Sequence, residues 1–103
     1  MDNDWYPLPE TLAKIQAWEI NSYADCEALL VWVHRVWKWD NYFTASKRRE
    51  RSHKGGRLYR KYHVSTGGWS GHEEIMTTLE NNWHFWSLAW YSSRRGGHYE
   101  FRV

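Results

Sequence analysis

The stretch His63-Val64-Ser65-Thr66-Gly67-Gly68-Trp69-Ser70-Gly71-His72-Glu73-Glu74 reads as the end of a strand, a glycine-rich loop and the start of a helix. Ser70 and Glu73 have capping-box spacing, the serine accepting from the N–H three residues on and the glutamate reaching back, which predicts a helix start near Gly71. Gly67 and Gly68 can take positive φ, and the first N–H groups of a helix have no partner within it. A strand, a glycine loop and a helix N-terminus in that order form a place where an anion can sit.

Upstream, Pro7 and Pro9 admit a helix over Pro9–Ile20, with Leu8, Leu12, Ile15 and Trp18 on one face. Ser22 and Asp25 repeat the capping spacing before a strongly apolar run. Cys26, Leu29, Leu30, Val33, Val36 and Trp37 share a broad face of this second helix, with acids near its start and Arg35 and Lys38 near its end. Val31, Trp32 and Trp39 widen the apolar arc, so a sheet, another helix or a partner has to cover them. From Asp40 to Gly56 the periodicity fades. Tyr42 and Phe43 can anchor a short third helix running into Lys47-Arg48-Arg49-Glu50-Arg51 and ended by Gly55-Gly56, which is preferred over a mobile basic arm.

Residues 57–65 predict a strand with Leu58, Tyr62 and Val64 on one face and Tyr59, Lys61 and His63 on the other. Arg60 falls on the core face, a misfit that marks an edge, a bulge or a functional arginine. Ile75, Met76, Leu79 and Trp83 follow helical spacing until Asn81-Asn82, and the aromatic-rich run from Trp83 to Tyr91 is read as a strand covered on both sides. After a turn at Ser92-Ser93-Arg94-Arg95-Gly96-Gly97, Tyr99, Phe101 and Val103 alternate with His98, Glu100 and Arg102 in a last strand that forms a hairpin with the one before. The fold class is α+β: two N-terminal helices packed on a small mixed sheet of β-α-β-β order. One domain accounts for the 103 residues, with a helical part over 9–39, a basic linker or short helix over 40–56 and the β-α-β-β part over 57–103.

Nine Trp, seven Tyr and three Phe are a heavy aromatic load, and the mean hydropathy of -0.86 still indicates a soluble chain. A net charge of +2 is too small to imply nucleic-acid binding by itself, but the signs are segregated. Acids gather early, at Asp2, Asp4, Glu10, Glu19, Asp25 and Glu27. The middle carries a basic patch of Lys47, Arg48, Arg49, Arg51, Lys54, Arg57 and Arg60. Cys26 stands alone, which suits a reducing compartment; Met1-Asp2-Asn3-Asp4-Trp5 does not read as a signal peptide, and no run reaches a membrane span. A cytoplasmic protein is expected.

In a β-α-β unit the two strands are parallel, so the glycine loop and the arginine turn should meet at one end of the sheet. The candidate ligand-binding residues are therefore Thr66, Gly67, Gly68, Trp69, Ser70, Ser93, Arg94 and Arg95. Guanidinium forks suit phosphate and an indole can stack on a base. The loop lacks the Gly-Lys-Ser/Thr ending of a P-loop and is not G-x-G-x-x-G. His34, His53, His63, His72, His84 and His98 include no H-E-x-x-H, and one cysteine cannot build a zinc finger. His72, Glu73 and Glu74 could serve as metal ligands or as acid and base, but Glu73 is already explained by capping. No catalysis, cofactor or metal is expected.

The pattern Ser65-Thr66-Gly67-Gly68-Trp69-Ser70-Gly71-x-Glu73-Glu74-Ile75, then Phe85-Trp86 and Ser92-Ser93-Arg94-Arg95-Gly96-Gly97-His98-Tyr99-Glu100-Phe101, resembles a group of small, poorly characterised accessory proteins of tailed phages and prophages. The likeness covers the last two fifths of the chain. It implies action in the cytoplasm of an infected bacterium, against host factors that include defence systems. Two binding classes follow: a phosphate-bearing target, nucleic acid or nucleotide, held by the loops and the basic patch, or a host protein complex met by surplus aromatics such as Trp32, Trp39 and Trp90. The same aromatics would also serve a homodimer.

Overall fold

The computed structural model describes residues 7–51 and 56–103. The acids Asp2 and Asp4, the start Met1 to Trp5, and His53, Lys54 and Gly55 lie outside them. The chain is α+β, with helices on one side of a four-stranded sheet. Helix α1 spans Pro9–Ala17, shorter than the expected Pro9–Ile20, with Pro9 in its first turn. Helix α2 spans Tyr23–Val36 and starts as its spacing predicts: Ser22 Oγ accepts from the Asp25 N–H at 3.3 Å, and Asp25 Oδ2 accepts from the Asn21 N–H at 2.8 Å. Cys26, Leu29, Leu30 and Val33 are its buried face, followed by Trp37.

The segment after α2 is not the short helix expected over 40–56. A 3-10 turn at Asp40–Tyr42 leads into strand β1, Phe43–Ala45. Extended backbone there puts Phe43 into the core, edge-on to Trp37 and Tyr62, and turns Thr44 outward. Two-residue strands β2, Glu50–Arg51, and β3, Leu58–Tyr59, pair antiparallel. The main strand β4, Lys61–Ser65, begins only after Arg60.

Arg60 resolves the misfit in the strand pattern. It exchanges both backbone hydrogen bonds with Val103, at 2.7 and 3.1 Å, and marks the break between β3 and β4. Across that break the alternation slips: Tyr59 is buried and Leu58 is half exposed, the reverse of the face expected for them, while Tyr62 and Val64 keep theirs.

Helix α3 spans Ser70–Asn81, and the aromatic run expected to be a strand begins as helix α4, Trp83–Ala89. Asn82 makes the corner. Its Oδ1 accepts from the Phe85 N–H, and its Nδ2 donates to the carbonyls of Ile15 and Trp18 at 2.9 and 3.1 Å. Phe85 and Ala89, four apart, are the buried face of α4, and Trp86 lies edge-on to Phe101. Strands β5, Trp90–Arg94, and β6, His98–Arg102, form the expected hairpin.

The sheet order is β1-β4-β6-β5, with every neighbouring pair antiparallel. β4 and β5 do run the same way, but β6 lies between them. Phe43, Tyr62, Val64 and Phe101 face the helices and join Leu29, Leu30, Val33, Ile75, Leu79 and Phe85 in one core. Among the described residues no helix is long and apolar enough to cross a membrane.

Candidate functional site

Among the described residues no helix covers the other face of the sheet, and its side chains fall into rows. Thr44 lies opposite His63, His63 opposite Glu100 and Glu100 opposite Ser92, one residue from each of the four strands. The next row is Ser65, His98 and Arg94. These residues, with Asn41, Tyr42, Gly67 and Gly96 at the rim, line an open cleft of about 630 Å³.

The glycine loop and the arginine turn meet at the end of this cleft because β4 and β5 point the same way. The Thr66 N–H donates to the Gly97 carbonyl at 3.0 Å. Gly97, at φ +78, lies so close to Thr66 Oγ1 that any side chain there would clash with it. Gly67, at φ +65, sits under the rings of Tyr42 and Trp39; a Cβ would approach them to 2.6 and 2.7 Å. Both glycines are needed for a close approach as well as for a turn.

Of the eight candidate ligand residues, Gly67 and Arg94 line the cleft. Thr66 is buried as the hub of the loop: its Oγ1 accepts from the Gly68 N–H and its carbonyl accepts from the Trp69 N–H. Trp69 is half-buried, against Trp39 and His72 with the Lys38 ammonium 5.1 Å from its ring, and does not stand out as a stacking platform. α3 begins at Ser70 with Trp69 at the N-cap position, which moves Ser70 and Glu73 one place into the helix and out of the capping-box positions. Ser93 faces the helices and accepts from the Trp90 indole at 2.8 Å. The ladder slips between Trp90 and Ser92, and this bulge brings Ser92 to the cleft in place of Ser93. Arg95 is exposed on the turn and is not among the lining residues.

Much of the basic patch is used inside the molecule. Glu27 accepts from Arg49 Nη2 at 2.8 Å, from Arg60 Nη1 at 3.1 Å and from the Tyr62 hydroxyl at 3.0 Å. Burial works to raise the Glu27 pKa. The hydrogen bonds from Arg49 and Tyr62 and the charges of Arg49 and Arg60 outweigh it, so the carboxyl is held below its ordinary value. Burial, with that hydrogen bond and the Glu27 charge, pushes the Tyr62 hydroxyl up to about 12. Arg57 stacks 3.6 Å from the centre of the Tyr23 ring, and Arg51 donates to the Gly56 carbonyl. Lys47 and Arg48 are exposed, and Lys54 lies outside the described residues.

His72, the candidate ligand or base at the helix start, is fully buried and stacked on Trp37 at 4.1 Å. The Lys38 N–H donates to its Nε2 at 3.0 Å, so the proton sits on Nδ1, which donates to the Thr66 carbonyl at 3.1 Å. Burial lowers its pKa, and both ring nitrogens fasten the loop to the end of α2. Among the described residues no three His, Cys, Asp or Glu side chains are grouped to hold a metal.

The sequence reading missed Asn41, Tyr42, Thr44, His63, Ser65, His98 and Glu100 as cleft residues and placed Ser92 only within the turn facing the glycine loop. Its signal was the polar half of the alternation around residues 61–65 and 98–102, which acquires meaning once β4 is paired with β6. No protein-family model matches the chain, and comparison with curated proteins and with solved structures finds no significant match.

Proposed function

We propose that the chain is a phage-type accessory protein that binds a phosphate-bearing target, a nucleic acid or a nucleotide, on the open face of its sheet in the cytoplasm of an infected bacterium. The observation that carries this reading is electrostatic. The carboxylate in the cleft, Glu100, is held by Arg102 Nε at 2.7 Å, so the exposed Arg94 and the imidazoles of His63 and His98 face an already neutralised acid. Tyr42, 39 % exposed at the rim, offers a ring to a base. The phage assignment rests on the resemblance carried by the signature residues.

The test is fluorescence anisotropy with labelled single-stranded oligonucleotides and nucleotides at low and high salt. Binding that weakens steeply with salt and by about tenfold in Arg94→Ala is expected, whereas binding by neither class sinks the reading. A protein target is the second reading, favoured by Trp83, 69 % exposed, and by Trp90 and Tyr91 on the edge strand β5. It would make the chain an inhibitor of a host complex, such as an anti-CRISPR-like protein, and the β5 rings would serve a homodimer equally. Trp39 and Trp90 lie beside opposite edges of the sheet, and Trp32 packs on Trp18 under Lys14, so the three expected aromatics do not form one patch. A host protein retained at high salt would select this reading.

A further inference from the structure

We propose that the cleft is a phosphodiester-transfer site for single-stranded RNA, with the imidazoles of His63 and His98 as its proton-transfer pair. The inference rests on reading the cleft as a site for a phosphate-bearing ligand, and it departs from the expectation of no catalysis, which was drawn from motifs local in sequence. His63 and His98 are far apart in the chain. The β4–β6 pairing puts His63 opposite Glu100 and His98 opposite Ser65, so the two histidines are diagonal neighbours on one face. Such neighbours stand about 7–8 Å apart at Cα and closer at Cβ, a span that a phosphate with both ester oxygens can bridge.

Each remaining part of the reaction has a residue in place. Arg94 lies directly across from His98, where a guanidinium can hold the non-bridging oxygens as charge builds on them. Glu100, anchored by Arg102, is a fixed carboxylate across from His63. Tyr42 gives an unpaired base a ring to stack on, which favours a single strand. The nucleophile is the substrate's own 2′-hydroxyl. One imidazole takes the 2′-hydroxyl proton as the O2′–P bond forms, and the other, protonated, gives its proton to O5′ as the P–O5′ bond breaks. The products are a 2′,3′-cyclic phosphate and a 5′-hydroxyl, and proton exchange with water resets the pair. No metal, oxidant or reductant enters the balance.

The test compares an RNA oligonucleotide with the all-deoxy oligonucleotide of the same sequence, following cleavage by mass spectrometry and binding by anisotropy. The protein should cleave the RNA to cyclic-phosphate ends and bind the all-deoxy strand without cutting it. With RNA at saturation, His63→Gln and His98→Gln should each slow cleavage at least about 100-fold, a loss in the single-turnover rate that saturation separates from any change in affinity. A substrate with sulfur in place of O5′, whose leaving group needs no proton, should restore the rate in the variant that lost the acid and not in the other. RNA bound but left intact, or cut by both variants as fast as by the unsubstituted protein, overturns the transfer site and leaves the binding reading standing. Failure to bind either strand overturns the transfer site, and failure to bind nucleotides as well overturns the binding reading with it.

Discussion

Two groups of arginines look alike in the sequence and do different work in the fold. Arg49 and Arg60 turn inward on Glu27, and Arg57 lies over Tyr23, so charges in the middle of the chain fasten α2 to the sheet. Arg94 ends β5 and Arg95 opens the turn after it, and both remain exposed. The difference lies in the neighbours. A guanidinium becomes structural where one carboxylate on a facing element can collect it, and Glu27, 18 % exposed, collects two together with a tyrosine hydroxyl. No local feature of a basic run reveals that acid, which is many residues upstream.

The comparison is broken most severely at its hub. Glu27→Ala should cost about 2–3 kcal/mol in urea unfolding, because it removes the carboxylate that accepts from Arg49, Arg60 and the Tyr62 hydroxyl, leaving Arg49 only the Val103 carbonyl. Acid should act in the same direction. The Glu27 carboxyl is held below its ordinary value of 4.5, so its contribution is present above about pH 4.5 and is lost as pH falls through the lower folded value; Glu27→Gln should flatten that limb of a stability–pH curve. Arg60→Ala, removing one partner from a partly exposed pair, should cost about 1 kcal/mol. Arg94→Ala sharpens the contrast from the other side, moving stability by no more than about 0.5 kcal/mol while weakening anionic-ligand binding about tenfold. Arg95→Ala should change neither in calorimetry or anisotropy. The sequence alone would have mutated the two arginines as a pair, and the structure separates them.

What could be read beforehand was whatever a short window determines. The α2 face from Cys26 to Trp37, the Ser22 cap and the alternation of Tyr99 and Phe101 each follow from spacing within a few residues, and each is present. Trp83–Ala89 reads as a strand because five aromatic or apolar side chains in seven residues hide a helical period, leaving only Asn82 as a cap signal. Phe43 was assigned to a helix although it anchors a strand, since its partners Trp37 and Tyr62 lie on other elements. The meeting of the glycine loop with the arginine turn was legible from strand direction alone. The cleft itself was not, because its rows exist only in the register of four strands, and the bulge at Tyr91 exchanged Ser92 for Ser93.

The position of β6 has a consequence for how the chain comes to be folded. This strand leaves the ribosome after every other described element, yet it stands between β4 and β5. Until it emerges, β4 has only the three-residue β1 to pair with, β5 has no partner at all, and Val64 and Tyr62 wait with their neighbour Phe101 absent. The nascent chain therefore carries an aromatic, half-zipped sheet from the synthesis of β4 until that of β6. Folding should be largely post-translational and slowed by long-range pairing, and a chaperone-depleted translation reaction should show aggregation of chains cut before His98 that longer chains escape.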